Sequence, residues 1–499
     1  RHTGARGVTG MPRGNLLAAT RRVLLLAIEA RRDEPDTARR LRDQLARLDE
    51  PLRVAIAGKV KAGKSTLLNA LVGDRVAPTD AGECTRVVTW YRDGPTPRIV
   101  MQPIDGAPVP LTVRRHDGAL VIDLDGTPAE TLHHLVVDWP TQSLRTTTLI
   151  DTPGIASTST EVSNRTVAFL DPDDETPTEA DAVIYLMRHL HAADASFLEA
   201  FRDRGVARAT SVNTVAVISR ADEIGGGRVD AMISARGIAQ RYRGDPTVRG
   251  LCQNVVAVAG LLAETGRTMR QSEYGALSQL ADVDRAGLEA DLRSVDRFLA
   301  APGEGPSAAV RHALLQRFGI FGIRLATTLI RQGARTPAAL ADELVSRSGL
   351  RELQRVLHTQ FTQRRDLLKA RSALLSVDSV IRTGRDDRLA GEVERVLAGA
   401  HEFTELRLLT AVRAGTVRLP QAVVEEAERL LGGAGTAPVV RLDLPPDASD
   451  AQLRSAAFDA LGRWQRHAVN PMFGRSVTDA CQVLVRSCEG LLADLDPTR

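Results

Sequence analysis

The run Gly58-Lys59-Val60-Lys61-Ala62-Gly63-Lys64-Ser65 has the spacing G-x-x-x-x-G-K-[ST], a loop built to hold phosphates. Its glycines let successive backbone N–H groups wrap the anion, and a helix opening at Thr66 adds partial positive charge. Lys64 is expected to reach the outer phosphates and the Ser65 hydroxyl to bind Mg²⁺. Asp151, in Asp151-Thr152-Pro153-Gly154, is expected to hold the same Mg²⁺ through water, with the Gly154 N–H on the γ-phosphate. Thr85, in Glu83-Cys84-Thr85-Arg86, is expected to complete the metal shell; Thr79 and Thr89 compete for that role, but Thr79 precedes Gly82 and Thr89 falls within a strand. Ser219-Arg220-Ala221-Asp222 stands where guanine-specific proteins carry [NT]-K-x-D. There Asp222 would accept from guanine N1–H and the 2-amino group, and Arg220, in place of lysine, would cover the base. A backbone N–H at Ala259, in Val258-Ala259-Gly260, would meet the guanine O6. The expected ligands are therefore GTP and GDP with Mg²⁺.

These residues need strand ends to position them. Short β-branched runs at Arg53 to Ala57, Val87 to Tyr91, Thr147 to Ile150, Ala182 to Leu186, Thr214 to Ile218 and Asn254 to Val258 alternate with helical stretches. That is the rhythm of a mostly parallel, doubly wound α/β sheet, in which ligands collect at the carboxyl ends of strands. Residues 98–139, with Asp117-Gly118 and Asp125-Gly126 turns, read as an antiparallel extension at the sheet's edge. Leu16 to Leu48 carries helical periodicity broken at Pro35, and these two helices have no obvious partner nearby. After Leu261 strand signals fade into long helices. The expected organisation is a tail at 1–10, helices at 11–50, the nucleotide domain at 51–265 and an all-α region at 266–499, with Gly432 to Pro446 its most evident loop.

Composition narrows the function. With 43% apolar and 25% charged residues the chain is globular, and it has no uninterrupted apolar run of about 18 residues. A net charge of +3 and 3% aromatic residues argue against nucleic acid as a partner. The four cysteines lack metal-ligand spacing, as suits a reducing compartment. Basic residues are nearly all arginine, yet three of the four lysines, Lys59, Lys61 and Lys64, lie in the phosphate loop. A compact ammonium is wanted there.

Ala77-Pro78-Thr79, Cys84-Thr85, the Asp151 to Gly154 turn, Ser219 to Gly226, Arg317 to Arg324 and a long helical second half resemble bacterial dynamin-like proteins, the mycobacterial isoniazid-inducible group in particular. The resemblance implies a GTPase that remodels membranes by bending, fission or fusion. It implies binding to a lipid bilayer, in our reading an anionic one at the cytoplasmic face of the plasma membrane, and self-association through GTPase domains or pairing with a related protein. It also implies that Leu16 to Leu48 pack with C-terminal helices as a neck. Two departures bear on mechanism: Ile155 follows Gly154, so no glutamine follows that turn, and Val60-Lys61 replaces the Gln-Ser of many relatives. The expected catalytic set is Lys61, Lys64, Thr85 and Gly154, with Lys61 read either as supplying extra positive charge near the β- and γ-phosphates or as a solvated loop charge. Two stretches bear on the membrane surface: the apolar Phe318 to Leu329, which reads first as a buried packing helix and second as one lying in an interface plane, and the loop with Val439, Val440 and Leu442. The rival readings are a soluble GTPase switch in translation or RNA modification, which predicts a basic RNA-binding domain that is not evident, and an ATPase, for which Asp222 would be irrelevant.

Overall fold

The computed structural model describes residues 16–79, 86–153, 179–188, 213–301, 305–384 and 386–496. Its frame is a nine-stranded sheet. The strands are β1 (Leu52–Gly58), β2 (Thr89–Asp93), β3 (Arg98–Pro103), β4 (Val109–Leu111), β7 (Leu132–Trp139), β8 (Thr147–Asp151), β9 (Ala182–Met187), β10 (Thr214–Ile218) and β11 (Asn254–Ala257), and a separate hairpin joins β5 (Arg114–His116) to β6 (Ala119–Val121). Their order is β11-β10-β9-β1-β8-β2-β7-β3-β4. β9 and β10 are buried along their whole length and β1 along nearly all of it, as unbroken apolar strands in a parallel sheet must be. β1 lies parallel between β8 and β9, with Ile56 opposite Asp151 and Gly58 opposite Leu186. That register sets the first glycine of the phosphate loop beside the Asp151 turn.

The extension differs in part from the sequence reading. β2 runs antiparallel to β8, but β7 returns alongside β2 in parallel, and only β3 and β4 continue antiparallel. The chain leaves β2, makes the β3 to β6 excursion and inserts β7 between β2 and β3, so adjacency in sequence is not adjacency in the sheet. The Asp117-Gly118 and Asp125-Gly126 turns both take left-handed backbone, with φ of 46°, 71°, 50° and 76°.

Two cores form on the two faces of the sheet. One joins Ala55, Val183 and Tyr185 to Phe318, Leu340 and Leu344. The other joins Val54, Ile56 and Leu67 to Leu24, Leu350 and Trp464. The packing therefore does not divide near residue 265: helices as far as Pro337–Arg347 share a core with the strands, and the crossover falls at Gly349, between that helix and Leu350–Gln360.

The N-terminal helices Leu16–Ala30 and Pro35–Arg47 lie against Arg365–Gly384, and the first also touches Asp387–Gly399. A buried ion pair between Arg47 and Asp181, 3.0 Å apart, ties this layer to the sheet. Asp181 also accepts the Arg53 backbone N–H at 2.9 Å, and Lys369 donates to the Arg47 carbonyl. Burial lowers the Lys369 ammonium to about 8.

The first candidate membrane stretch is packed, and the second is anchored to the bundle while Val440 stays exposed (36%). Ala308–Arg331 is, among the described residues, the one helix long and apolar enough to cross a membrane by length and composition. Half of its apolar window is buried (50%), with Phe318, Phe321, Ile323 and Leu329 inside the protein, and it kinks at Gly319 (φ 62°, ψ 174°). The 432–446 loop is held from below: Arg364 donates to the Gly432 carbonyl, and Gln360 to that of Gly433 at 3.0 Å. Arg441 in the same segment is buried against Glu405. The largest apolar exposures lie elsewhere, at Val469 (79%) and Met472 (86%), in the turn joining the paired helices Asp450–Ala468 and Arg475–Asp494.

Candidate nucleotide site

The phosphate loop leaves β1 through three left-handed residues, Gly58 (φ 149°), Lys61 (φ 61°) and Gly63 (φ 91°). A Cβ on Gly58 would lie 2.5 Å from the Leu186 carbonyl oxygen, so that glycine is required by the neighbouring strand. A Cβ on Gly63 would meet nothing within 4 Å; its backbone angle is what selects glycine there. Lys64 and Ser65 then open the helix Lys64–Val72.

Lys64 Nζ donates to the Gly58 and Lys59 carbonyls at 3.3 and 3.4 Å, curled beneath the loop it serves. Burial lowers its ammonium below the usual lysine range, opposed by the charge of Asp151. Ser65 Oγ donates to Asp151 Oδ2 at 2.6 Å. Burial raises the Asp151 carboxyl, with Lys64 and the Ser65 hydrogen bond opposing it, and Oδ1 is buried without a partner. An orphaned carboxylate oxygen beside a serine hydroxyl fits a hydrated divalent cation. Thr152 Oγ1 donates to the Ile56 carbonyl at 2.9 Å and holds the turn against β1. Val60 (45% exposed) and Lys61 stand at the open apex of the loop.

Beyond the phosphate end lies a cavity of about 170 Å³ bordered by Gly63, Thr66, Ser219, Arg220, Asp222 and Gly260. Ser219 N–H donates to the Met187 carbonyl at 2.8 Å, which fixes the end of β10. Arg220 takes left-handed backbone (φ 51°), and its Nη1 donates to Glu223 Oε1 at 2.7 Å. Burial raises the Asp222 carboxyl above the ordinary range. Ala259 does not offer its N–H to this cavity: that group donates to the Ser348 carbonyl at 2.9 Å. Gly260, opening the helix Gly260–Arg267, borders the cavity instead. Thr85 and Gly154 lie outside the described residues, as do Gly82, Cys84 and Ile155. Of the competitors to Thr85, Thr89 is buried in β2 and bonds the Val87 carbonyl at 3.2 Å, and Thr79 is exposed.

A model of the dynamin family matches residues 54–105, from β1 through the phosphate loop to the start of the excursion. The isoniazid-induced protein IniC of Mycobacterium tuberculosis is 41% identical over 460 residues, spanning 91% of this chain and 92% of its own length. The chain belongs to the bacterial dynamin-like family. A bacterial dynamin-like protein of Nostoc punctiforme is 31% identical over 121 residues, 21% of this chain and 17% of that one. One chain of a structure described as an oligomerised bacterial dynamin pair providing a mechanism for the long range sensing and tethering of membranes covers 98% of this chain and 81% of its own. It does so at 14% identity and a TM-score of 0.34, too loosely to bear on function.

The sheet with its phosphate loop is thus a dynamin-like GTPase domain, of a fold that binds guanine nucleotides, and the helices around it include a bundle. In this dynamin-like chain Glu223 and Gly260 also border the cavity, without having been singled out in the sequence. Glu223 was legible as an i,i+3 partner of Arg220; Gly260 was visible only as a neighbour of Ala259.

Proposed function

We propose that the chain binds and hydrolyses GTP with Mg²⁺ and uses the cycle to remodel a membrane. The observation that carries the nucleotide reading is that the phosphate loop and Asp222 border one cavity. Gly58 to Thr66 hold the phosphates, Asp222 accepts from the guanine edge and Arg220 roofs the base. Ser65, Asp151 and Thr85 hold Mg²⁺, which when bound neutralises charge on the transferring phosphate. Lys64 draws charge off the outer phosphates, the Gly154 N–H meets the γ-phosphate, and Lys61 supplies a second ammonium at the loop apex.

The membrane reading rests on family membership and on the Val469 to Gly474 turn. Two exposed apolar side chains stand there with Arg475, whose side chain is 96% exposed, a pairing suited to the interface of an anionic bilayer at the inner face of the plasma membrane. His467 stacks on Phe473 at 5.9 Å and stiffens the turn. Self-association through GTPase domains, or pairing with a related dynamin-like protein, would couple several such turns to one surface.

Calorimetry with GDP, GTP and ATP in the presence of Mg²⁺ tests the first part; absence of heat with either guanine nucleotide would sink it. Sedimentation with anionic vesicles, with and without GTP, tests the second. A chain that hydrolyses GTP yet pellets with no vesicle would be the soluble switch.

A further inference from the structure

The base cavity has a neighbour that touches no nucleotide. Helices Pro337–Arg347 and Leu350–Gln360 meet at Ser348-Gly349, and this step is pressed against the end of β11. The Ser348 carbonyl takes the Ala259 N–H at 2.9 Å. Gly349 has φ 84°, and a Cβ on it would lie 2.1 Å from the Ala257 carbonyl oxygen and 3.5 Å from Val258 Cα. Ser348 is fully buried (0%); its Oγ donates to the Val345 carbonyl at 2.8 Å and accepts the Leu350 N–H at 3.2 Å. Neither side of the contact has a flexible side chain to yield. Val258, Gly260 and Leu261, the next residues along from Ala257, border the cavity.

The same two layers meet again one helix further on. A Cβ on Gly266 would lie 2.8 Å from Val345 Cγ2 and 3.1 Å from the Ala341 carbonyl oxygen. The helix Gly260–Arg267, whose first turn borders the cavity, is thereby held against Pro337–Arg347.

We propose that Ser348 and Gly349 are positioning residues for guanine binding: they hold the backbone from Ala257 to Leu261 at the place where the base must sit. The proposal rests on the guanine-nucleotide reading of the cavity and adds to it a control point outside the GTPase sheet. Gly349 is also where the chain crosses from the core containing Leu344 to the core containing Leu350. A displacement of the bundle helices therefore reaches the base pocket at this step and at the Gly266 seam. By linkage, base binding must bias that junction equally.

The test uses the full chain, fluorescent GDP and, as a ligand without a base, tripolyphosphate with Mg²⁺. Gly349→Ala is expected to weaken GDP binding at least about tenfold while leaving tripolyphosphate affinity unchanged, because misplacing the frame by a fraction of an ångström spoils hydrogen bonds to the base. Gly266→Ala, a milder intrusion at the same seam, is expected to weaken GDP in the same sense. Gly333→Ala, where φ is 114° but nothing lies within 4 Å, carries the backbone strain alone and is expected to bind GDP as the parent does. Parental GDP affinity in Gly349→Ala and Gly266→Ala overturns the proposal, as does equal loss of GDP and tripolyphosphate, which would mark a general role in stability. A parent chain that binds tripolyphosphate but not GDP removes the guanine reading itself, and this inference with it.

Discussion

Ser65 Oγ and Asp151 Oδ2 stand 2.6 Å apart, so the two residues expected to hold the metal satisfy each other across the gap between the phosphate loop and β8. The other oxygen of Asp151 is left buried and unpaired. Replacing Ser65 by Ala removes a donor from a buried carboxylate, which costs about 1–3 kcal/mol. The nucleotide-free variant should melt lower, and hydrolysis should fall at least about 100-fold with loss of its Mg²⁺ dependence. Calorimetric melting and phosphate release across a Mg²⁺ titration check both; an unchanged Mg²⁺ midpoint would remove Ser65 from the metal site.

Asp222→Asn should separate recognition from stability. Two charge-assisted hydrogen bonds to guanine are lost, about 3 kcal/mol or roughly 100-fold in GDP affinity. Burial already disfavours the ionised carboxyl, so the nucleotide-free variant should melt no lower than the parent. GDP and ATP titrations decide it, and an unchanged guanine preference would favour the ATPase reading.

The same burial gives the sign of a pH effect. The ionised form of Asp222 accepts from the base, and its carboxyl is raised above the ordinary range. GDP affinity should therefore begin to fall on acidification while ordinary carboxylates, near pKa ~3.9, are still ionised. The raised carboxyl works the other way on the empty fold: its neutral form is the favoured one, so its contribution to stability is present at low pH and lost as pH rises through the raised value. Asp151 is raised too, so the slope assigned to Asp222 is the part seen with GDP and not with tripolyphosphate. Asp222→Asn should abolish that part.

Lys61 holds a left-handed backbone at the exposed apex of the loop, a conformation that costs a lysine roughly 1–2 kcal/mol. Lys61→Ala should bind GTP as the parent does and turn it over at least about tenfold more slowly. Single-turnover hydrolysis at saturating GTP measures this, and a parental rate would return Lys61 to the status of a solvated charge.

At the other end of the molecule, Val469→Asp with Met472→Asp places two carboxylates where a bilayer interface would take apolar side chains. Full burial of each of the original groups is worth about 2 kcal/mol, so binding to anionic vesicles should drop at least about tenfold with basal GTP hydrolysis unchanged. Co-sedimentation read beside phosphate release checks the pair; undiminished pelleting would move the membrane surface elsewhere.

The frame of the site was legible because its signals are local. A buried apolar strand, a glycine loop and a helix follow one another within 52–72, and Asp151 and Asp222 each stand at or just past the end of an apolar run. What was hidden depends on partners far away in the chain. The parallel insertion of β7 beside β2 follows from the excursion between them. The fate of Ala259 is decided by Ser348, and the anchoring of Gly432, Gly433 and Arg441 by Arg364, Gln360 and Glu405. Val469 and Met472 were hidden for a different reason: an exposed apolar residue in a turn belongs to no periodic pattern, so only accessibility reveals it.

The junction at Arg47 and Asp181 constrains how force can travel. Both side chains are out of water (7% and 3% exposed), and separating such a pair leaves a bare charge in a poor dielectric, at a cost of about 3–5 kcal/mol. The N-terminal layer is therefore welded to the strands at this point, and a nucleotide-driven stroke that keeps the weld closed has to bend the chain at some other place.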